Sequence, residues 1–258
     1  MGKWHYTYSD IVHALKSVGL EHGDIVFTHS NLGFCGILET CSSAHDLCEQ
    51  FRRAFMEILG GEGTLIVPTF TYSFCRNEIF DIRNTPSGMG IFPEYIRRYP
   101  GSLRSDDANF SVCALGVKGA ELTSHMPQMS FGTDSFWERF YMLNGKVCNI
   151  NFDAGSTFIH YIEKSLAVPY RYDKGFDGTF IDHQGLSSSR RYYHFVYDLD
   201  KPQDSYSSIR LHELCQEHGI LRSSNLGKGR IVCQSTHNLY PFVEDTLKAR
   251  PRFLTQLE

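Results

Sequence analysis

The chain contains no CxxC pair, no Cys/His cluster at zinc spacing, no Walker-type or GxGxxG loop, and no apolar run of membrane-spanning length. These absences give no support to a structural zinc site, to nucleotide hydrolysis, to dinucleotide chemistry or to a membrane partner. Eight cysteines are present, but they sit singly, as at Cys48, Cys113, Cys148 and Cys233, within apolar or helical surroundings. That pattern suits small buried side chains in a reducing compartment rather than a disulfide scaffold. A net charge of −4 offers nothing to a nucleic-acid backbone. The opening Met1-Gly2-Lys3-Trp4-His5-Tyr6 lacks the apolar centre of a signal peptide, so a cytoplasmic protein is expected.

What the chain does have is enough apolar material for a sizeable core, 41% of 258 residues. That length fits one large α/β domain, or two small ones with an intimate interface. The spacing of Ile11, Leu15 and Val18 predicts a helix begun near Ser9-Asp10 and stopped at Gly19. A helix is also expected over residues 42–59, where Leu47, Phe51, Phe55 and Leu59 form one stripe. Further helices are expected over 90–99, 136–143, 208–218 and 239–249. Strands are expected at 25–28, 64–70, 111–117 and 146–152. The apolar run at 64–70 suggests parallel pairing, and Pro68 suggests an edge or a last rung. After Pro169 the pattern changes to two antiparallel strands, 179–181 and 190–198, and a last strand at 229–235. The expected architecture is α/β, a central, mostly parallel sheet with helices. It forms a single unit over residues 1–258, with a mixed α+β elaboration from about residue 170.

Three stretches invite chemistry. The loop at 29–36 is small, bears glycine and follows a strand, so its backbone N–H groups can face a ligand. The loop at 71–86 is long and aromatic, as functional loops tend to be. The stretch from Ala154 to Glu163 runs from a strand end into a helix, where open α/β sheets usually place ligands. Ser156 or Thr157 can cap that helix, and His160 and Glu163 share one face, three residues apart. A histidine there is a candidate general base; equally, it can be a buried histidine bonded only to backbone.

In order along the chain, seven pieces together resemble the aminoglycoside 3-N-acetyltransferase family, also called the antibiotic N-acetyltransferase family. They are His29-Ser30-Asn31-Leu32; the run from Gly63 to Phe70; Pro86 to Glu94; Pro100 to Ser105; Ser111 to Gly116; Gly132 to Ser135; and Ser156-Thr157-Phe158-Ile159-His160 with Glu163. The resemblance implies an acetyl-CoA-dependent N-acyltransferase, with acetyl-CoA or another acyl-CoA as donor and no metal. The acceptor it implies is a small-molecule amine, an aminoglycoside or a nucleotide-linked amino sugar. The fold it implies is unrelated to the GNAT acetyltransferases. One departure stands out. Where many members carry Arg-Ser-x-His-Pro, this chain has Arg104-Ser105-Asp106-Asp107-Ala108, which places acceptor choice in question. The segment from Pro169 to Gly178 resembles members associated with surface polysaccharides.

Amide formation from a thioester needs a neutral amine, so a base must take a proton as the nitrogen attacks. His160 is the residue chosen for that role, and it matches the family's Thr-x-x-His position. Glu163, Asp198 and Asp153 are candidates to orient it, with Asp198 favoured because it lies where the family supplies an acid. The loop His29, Ser30, Asn31, Leu32 and Gly33 is the expected source of oxyanion donors, with a hydroxyl added by Ser30 or Thr71. The pantetheine arm is expected along Thr69, Phe70 and Thr71 and along Arg104 and Ser105. Arg104 would meet either a CoA phosphate or a structural carboxylate. Asp106, Asp107 and Asp134 would form an acidic patch for a cationic acceptor, or be solvated loop carboxylates. Tyr72, Phe74, Trp137, Tyr170 and Tyr172 would stack on sugar rings, or be core. Cys35 is the one cysteine placed for nucleophilic attack, without a paired histidine, so direct attack in a ternary complex is preferred. The contrasting reading is a non-catalytic binding protein that kept the fold. A homo-oligomer is compatible with either.

Overall fold

The computed structural model describes residues 4–256; the tripeptide Met1-Gly2-Lys3, part of the leader argument, lies outside them. Helix α1 (Tyr8–Ser17) opens at Thr7, not at Ser9. Thr7 Oγ1 accepts from the Asp10 N–H while the Asp10 carboxylate accepts from the Thr7 N–H, a reciprocal cap. Strand β1 (Ile25–Phe27) leads through α2 (Ala44–Leu59), capped by Ser43, into β2 (Thr64–Pro68). Short β3 (Phe80–Asp81), α3 (Ile91–Arg98), β4 (Leu103–Arg104), β5 (Val112–Gly116) and α4 (Gly119–Thr123) follow. Then come α5 (Phe136–Met142), β6 (Lys146–Ile150), α6 (Phe158–Ser165) and the paired β7 (Arg171–Ile181) and β8 (Ser187–Tyr197). The chain closes with α7 (Ile209–Glu217), β9 (Arg222–Leu226), β10 (Gly229–Ser235) and α8 (Thr236–Ala249).

Seven strands form one sheet in the order β4-β5-β2-β1-β6-β10-β9, and β3-β7-β8 form a second. The expectation of mostly parallel pairing holds only at the centre. Strand β1 is parallel to β2 and to β6, while the four outer pairings are antiparallel. The apolar runs misled on this point for a physical reason: any strand covered on both faces reads as continuously apolar, whichever way its neighbour runs. Pro68 is the last rung of a central strand, and not on an edge.

Residues alternate between the two faces. Val26, Leu65, Val67, Cys148 and Ile231 enter the core under α1, α2 and α3. Ile25, Phe27, Ile66, Val147 and Val232 enter the core shared with α5, α6 and α8. This is the period of two that a strand imposes, and it makes a layered α/β/α arrangement. All eight cysteines are free, and all but Cys41 and Cys75 are buried. No helix among the described residues is long and apolar enough to cross a membrane.

Phe27 anchors the second core. Its ring is fully buried and lies 5.0 Å from the Trp137 ring and 6.2 Å from Phe140. Phe27→Ala is expected to lower stability by about 3–5 kcal/mol in urea unfolding, because the rigid central strand cannot collapse into the space. Val117→Ala, at an exposed site, is expected to stay within about 0.5 kcal/mol of the parent.

Candidate active site

Because β1, β2 and β6 run in the same direction, their carboxyl ends open on one crevice. His29 follows β1, Thr69 to Tyr72 follow β2, and Asn151 to Gly155 connect β6 to α6. Helix α6 begins without the expected cap. Thr157 occupies the cap position and its side chain makes no cap bond, and the Ser156 hydroxyl is buried without a partner.

One turn into α6, His160 Nδ1 lies 2.8 Å from Glu163 Oε2. The Glu163 side chain is 0% exposed. Its other oxygen accepts a hydrogen bond from the Tyr170 hydroxyl at 2.8 Å, and Arg171 Nε stands 2.8 Å from Oε2. Burial alone would raise the Glu163 carboxyl. The His160 bond, the Arg171 charge and the Tyr170 bond outweigh it and hold the carboxyl below its ordinary value. Burial, followed by the Arg171 charge, pushes His160 down, against the upward pull of Glu163. With Glu163 ionised, Nδ1 carries the hydrogen and Nε2 keeps a free lone pair. His160 lines a cleft of about 630 Å³ shared with Phe110, Phe131, His194, Tyr172 and Asp198.

Asp198 lies on that cleft but does not reach His160. Its carboxylate is 3.4 Å from Lys201 Nζ and accepts the Asp200 N–H, and its side chain stays 39% exposed. Glu163, one turn away on the same helix, already fills the Nδ1 side. Asp153 is held by the Gly155 N–H and the Ser208 hydroxyl.

The expected donor-binding residues divide. At the β1 end, His29 packs on Phe27, Phe70 and Phe152, and burial takes it down to about 4. The Asn31 N–H donates to the Ile150 carbonyl and is engaged, and Leu32 is buried in the core. Gly33 is exposed, and the Ser30 hydroxyl is buried without a partner. The rail at 69–71 is already bonded within the protein: Thr69 Oγ1 to the Ser111 carbonyl, Thr71 Oγ1 to Ala108, and the Phe70 carbonyl to Gly88 N–H.

Arg104 forms no ion pair with a carboxylate among the described residues and borders a cleft it shares with Arg83, Arg97 and Arg190. Its guanidinium donates to the carbonyls of Ile82, Thr85 and Thr69 and to the Ser111 hydroxyl, lies over the Phe80 ring, and is lowered to about 10 by burial. Ser105 is buried, its hydroxyl accepting the Val112 N–H.

The acidic patch does not assemble. Asp106 pairs with Arg190 at 3.0 Å, and Asp134 pairs with Arg139 at 2.8 Å. Asp107, buried, accepts the N–H groups of Asn109 and Phe110 and the Ser130 hydroxyl. Tyr72 is half-buried at φ +53°, against Phe70 and Phe110. Phe74, Trp137 and Tyr170 are core, while Tyr172 is 48% exposed on the cleft.

Sequence reasoning missed His194, Cys75 and Asn109. Asn109 Oδ1 accepts from the Phe74 and Cys75 N–H groups, so its Nδ2 donates to His194 Nε2 at 3.0 Å. His194 Nδ1 then carries hydrogen toward Cys75 Sγ, 3.8 Å away, and cannot take a proton from it. Burial and the Asp107 charge raise Cys75 to about 11, so it stays a thiol. Cys35, also buried and raised, bonds Asn151 and is not on this cleft. No cluster of metal-ligating side chains occurs among the described residues.

Residues 27–248 match the family profile described as aminoglycoside 3-N-acetyltransferase. The chain belongs to that family. With membership come the activity class, a CoA-dependent acyltransferase, and its donor, acetyl-CoA. This acetyltransferase is 26% identical over 229 residues to aminoglycoside N(3)-acetyltransferase IX of Micromonospora chalcea, covering 79% of this chain and 77% of that protein. Its fold matches that of aminoglycoside acetyltransferase AAC(3)-Xa with a TM-score of 0.81 at 21% identity, covering 94% and 92% of the two chains. It also matches AAC-IIIb in a binary complex with CoASH, with a TM-score of 0.79 at 21% identity, covering 95% and 97%. The residues fit an extended amide arm. Besides Ser30 and Ser156, the Tyr206 hydroxyl is buried without a partner, and its ring lies 5.7 Å from His160.

The buried histidines set an acid limit. The unfolded chain binds protons near the ordinary histidine value of 6.5, whereas folded His29 does so at about 4, and His160 and His194 are also lowered. Stability therefore falls as pH drops from about 6.5 toward 4 and is unaffected by these groups above that window. Urea midpoints measured across the window are expected to decline, and less steeply for His29→Gln. A flat profile would contradict the assignment.

Proposed function

We propose that this chain N-acetylates the primary amine of an amino sugar by direct attack, with His160 as general base. The single observation that carries this is the His160–Glu163 pair, with a neutral imidazole whose Nε2 is free beside the cleft. The amine nitrogen forms its bond to the thioester carbonyl carbon as its proton passes to Nε2. The carbon–sulfur bond then breaks, and the proton leaves with the CoA thiol. Glu163 stabilises the imidazolium formed in between. The contrasting reading, a binding protein without chemistry, has no use for this ionised, fully buried carboxylate beside a basic nitrogen.

The acceptor we favour is a nucleotide-linked amino sugar. A polycationic aminoglycoside calls for a surplus of negative charge around it. The three candidate acids are all engaged within the protein, and the cleft sets Arg171 and Lys174 against Asp198 and Asp200. The relatives' names favour the aminoglycoside instead. Free thiol released from acetyl-CoA separates the two when each acceptor is supplied in turn, and release with neither would overturn the reading for both.

His160→Ala is expected to lower kcat about 10²–10⁴-fold, and Asp198→Asn to leave it near the parent value. The acid limb of kcat/KM reports His160 and lies below the ordinary histidine range. Glu163 raises His160, so Glu163→Gln is expected to lower kcat and move that limb to still lower pH. A limb that moves up, or an unchanged rate in His160→Ala, would refute the role.

A further inference from the structure

Away from His160, a cleft of about 460 Å³ lies where the turn of the β7–β8 hairpin meets the body beside β4. That volume is within the range of small-molecule sites, roughly 300–1,000 Å³. Four guanidiniums line it, Arg83, Arg97, Arg104 and Arg190, against two carboxylates, Asp106 and Asp182. They come from the residues after β3, from α3, from β4 and from β8, so only the tertiary fold gathers them.

The nearby carboxylates are already committed. Asp182 accepts the Gln184 and Leu186 N–H groups. Asp106 pairs with Arg190 and accepts the Met126 N–H. Glu94 is shared between Arg97 and Arg98. Asp81 accepts the Arg83 and Asn84 N–H groups and stands 3.9 Å from Arg83 Nε. Arg104 has no carboxylate among the described residues, although it is only 8% exposed. Its hydrogen bonds go to three carbonyls and the Ser111 hydroxyl, which leaves one Nη2 hydrogen without a partner there. A buried cation held only by neutral acceptors is costly, and an anion beside it offsets that cost.

The arginines are also held in place. Arg97 makes two bonds to Glu94 and one to the Arg83 carbonyl. Arg190 lies over the Phe180 ring at 3.6 Å and uses only Nη1 for Asp106 and Tyr192, so Nε and Nη2 remain available. Preset guanidiniums with free N–H groups suit the oxygens of a phosphate. The rest of the wall indicates what the phosphate is attached to. Its one phenyl ring, Phe180, is buried beneath Arg190, so a nucleobase has no platform. Ser124, His125, His183 and Gln184 stand exposed instead, and they offer the hydrogen-bonding groups a polyol needs.

This cleft is separate from the one at His160. The two share no lining residue, and Phe74, Phe180 and Tyr192 belong to a small core of their own. Along β8, Arg190 and His194 are four residues apart, about 13 Å, with buried Tyr192 between them.

We propose that this cleft binds the phosphate monoester of a sugar, with the phosphate on Arg83, Arg104 and Arg190 and the sugar hydroxyls on the exposed polar side chains. The ligand is neither the acyl donor nor the amine acceptor, so it binds alongside both.

Calorimetric titration of the full chain with glucose 6-phosphate, inorganic phosphate, uridine monophosphate and glucose tests this. Glucose 6-phosphate is expected to bind at one site, about tenfold more tightly than inorganic phosphate or uridine monophosphate, and glucose not measurably. Saturating acetyl-CoA is expected to leave that affinity unchanged. The double variant Arg83→Ala, His183→Ala, at two exposed positions, is expected to unfold at the parental temperature and to bind glucose 6-phosphate at least about tenfold more weakly. A parent protein that does not bind glucose 6-phosphate overturns the site. Equal affinity for inorganic phosphate or uridine monophosphate overturns the sugar ester. Displacement by acetyl-CoA, or a double variant with parental affinity, overturns the placement.

Discussion

A carboxylate with no exposure is costly unless it is hydrogen-bonded and paired with a cation, and Glu163 has such partners from three directions. His160 comes from its own helix, while Tyr170 and Arg171 come from the segment that starts β7. The same ion that holds the His160 ring therefore fixes where the long β7–β8 ribbon departs from the body. Arg171 also donates to the Phe195 carbonyl on β8, so both strands of the ribbon are tied to α6. The ribbon supplies one wall of the cleft, and its position relative to His160 is an electrostatic matter as much as a packing one.

Around that point the molecule keeps its polar side chains busy. Asp107, at the family's missing histidine position, closes a turn over Asn109 and Phe110 and lies near His194. Asn109 then fixes the tautomer of His194 and holds Phe74 and Cys75. The departure from His-Pro is thus absorbed by a hydrogen-bonded unit beneath His194. Burial holds both Cys35 and Cys75 as thiols, in keeping with the direct attack proposed above.

Much of the sheet was legible because its strands are buried on both faces and read as apolar runs. The His160–Glu163 face was legible from a spacing of three. The choice between Glu163 and Asp198 was not, since it turns on Tyr170 and Arg171 arriving from a later segment to sustain the buried charge. Strand β9, Arg-Ser-Ser-Asn-Leu, is polar because it forms an edge, and it carries no hydrophobic alternation to find. The first half of β7 was hidden for the same reason, its residues 172–175 being exposed. Pantetheine was expected along the loop backbones of 69–71 and 104–105; what no local pattern announced is that the hydroxyls of Thr69 and Ser105 and the Arg104 guanidinium bond to residues within 82–112.

Arg104 illustrates what such claims imply for change. One side chain gathers carbonyls from Thr69, Ile82 and Thr85 and so pins both ends of the loop that follows β2. Between those pins, residues 76–79 stand exposed. A loop fastened at its ends by a guanidinium, and at its far end by the β3–β7 pairing as well, tolerates change in its middle without loss of the frame. Substitutions have room there, a few residues from Tyr72 and Cys75, while α6 stays as it is. A lysine at 104, with one nitrogen in place of three, would surrender that latitude.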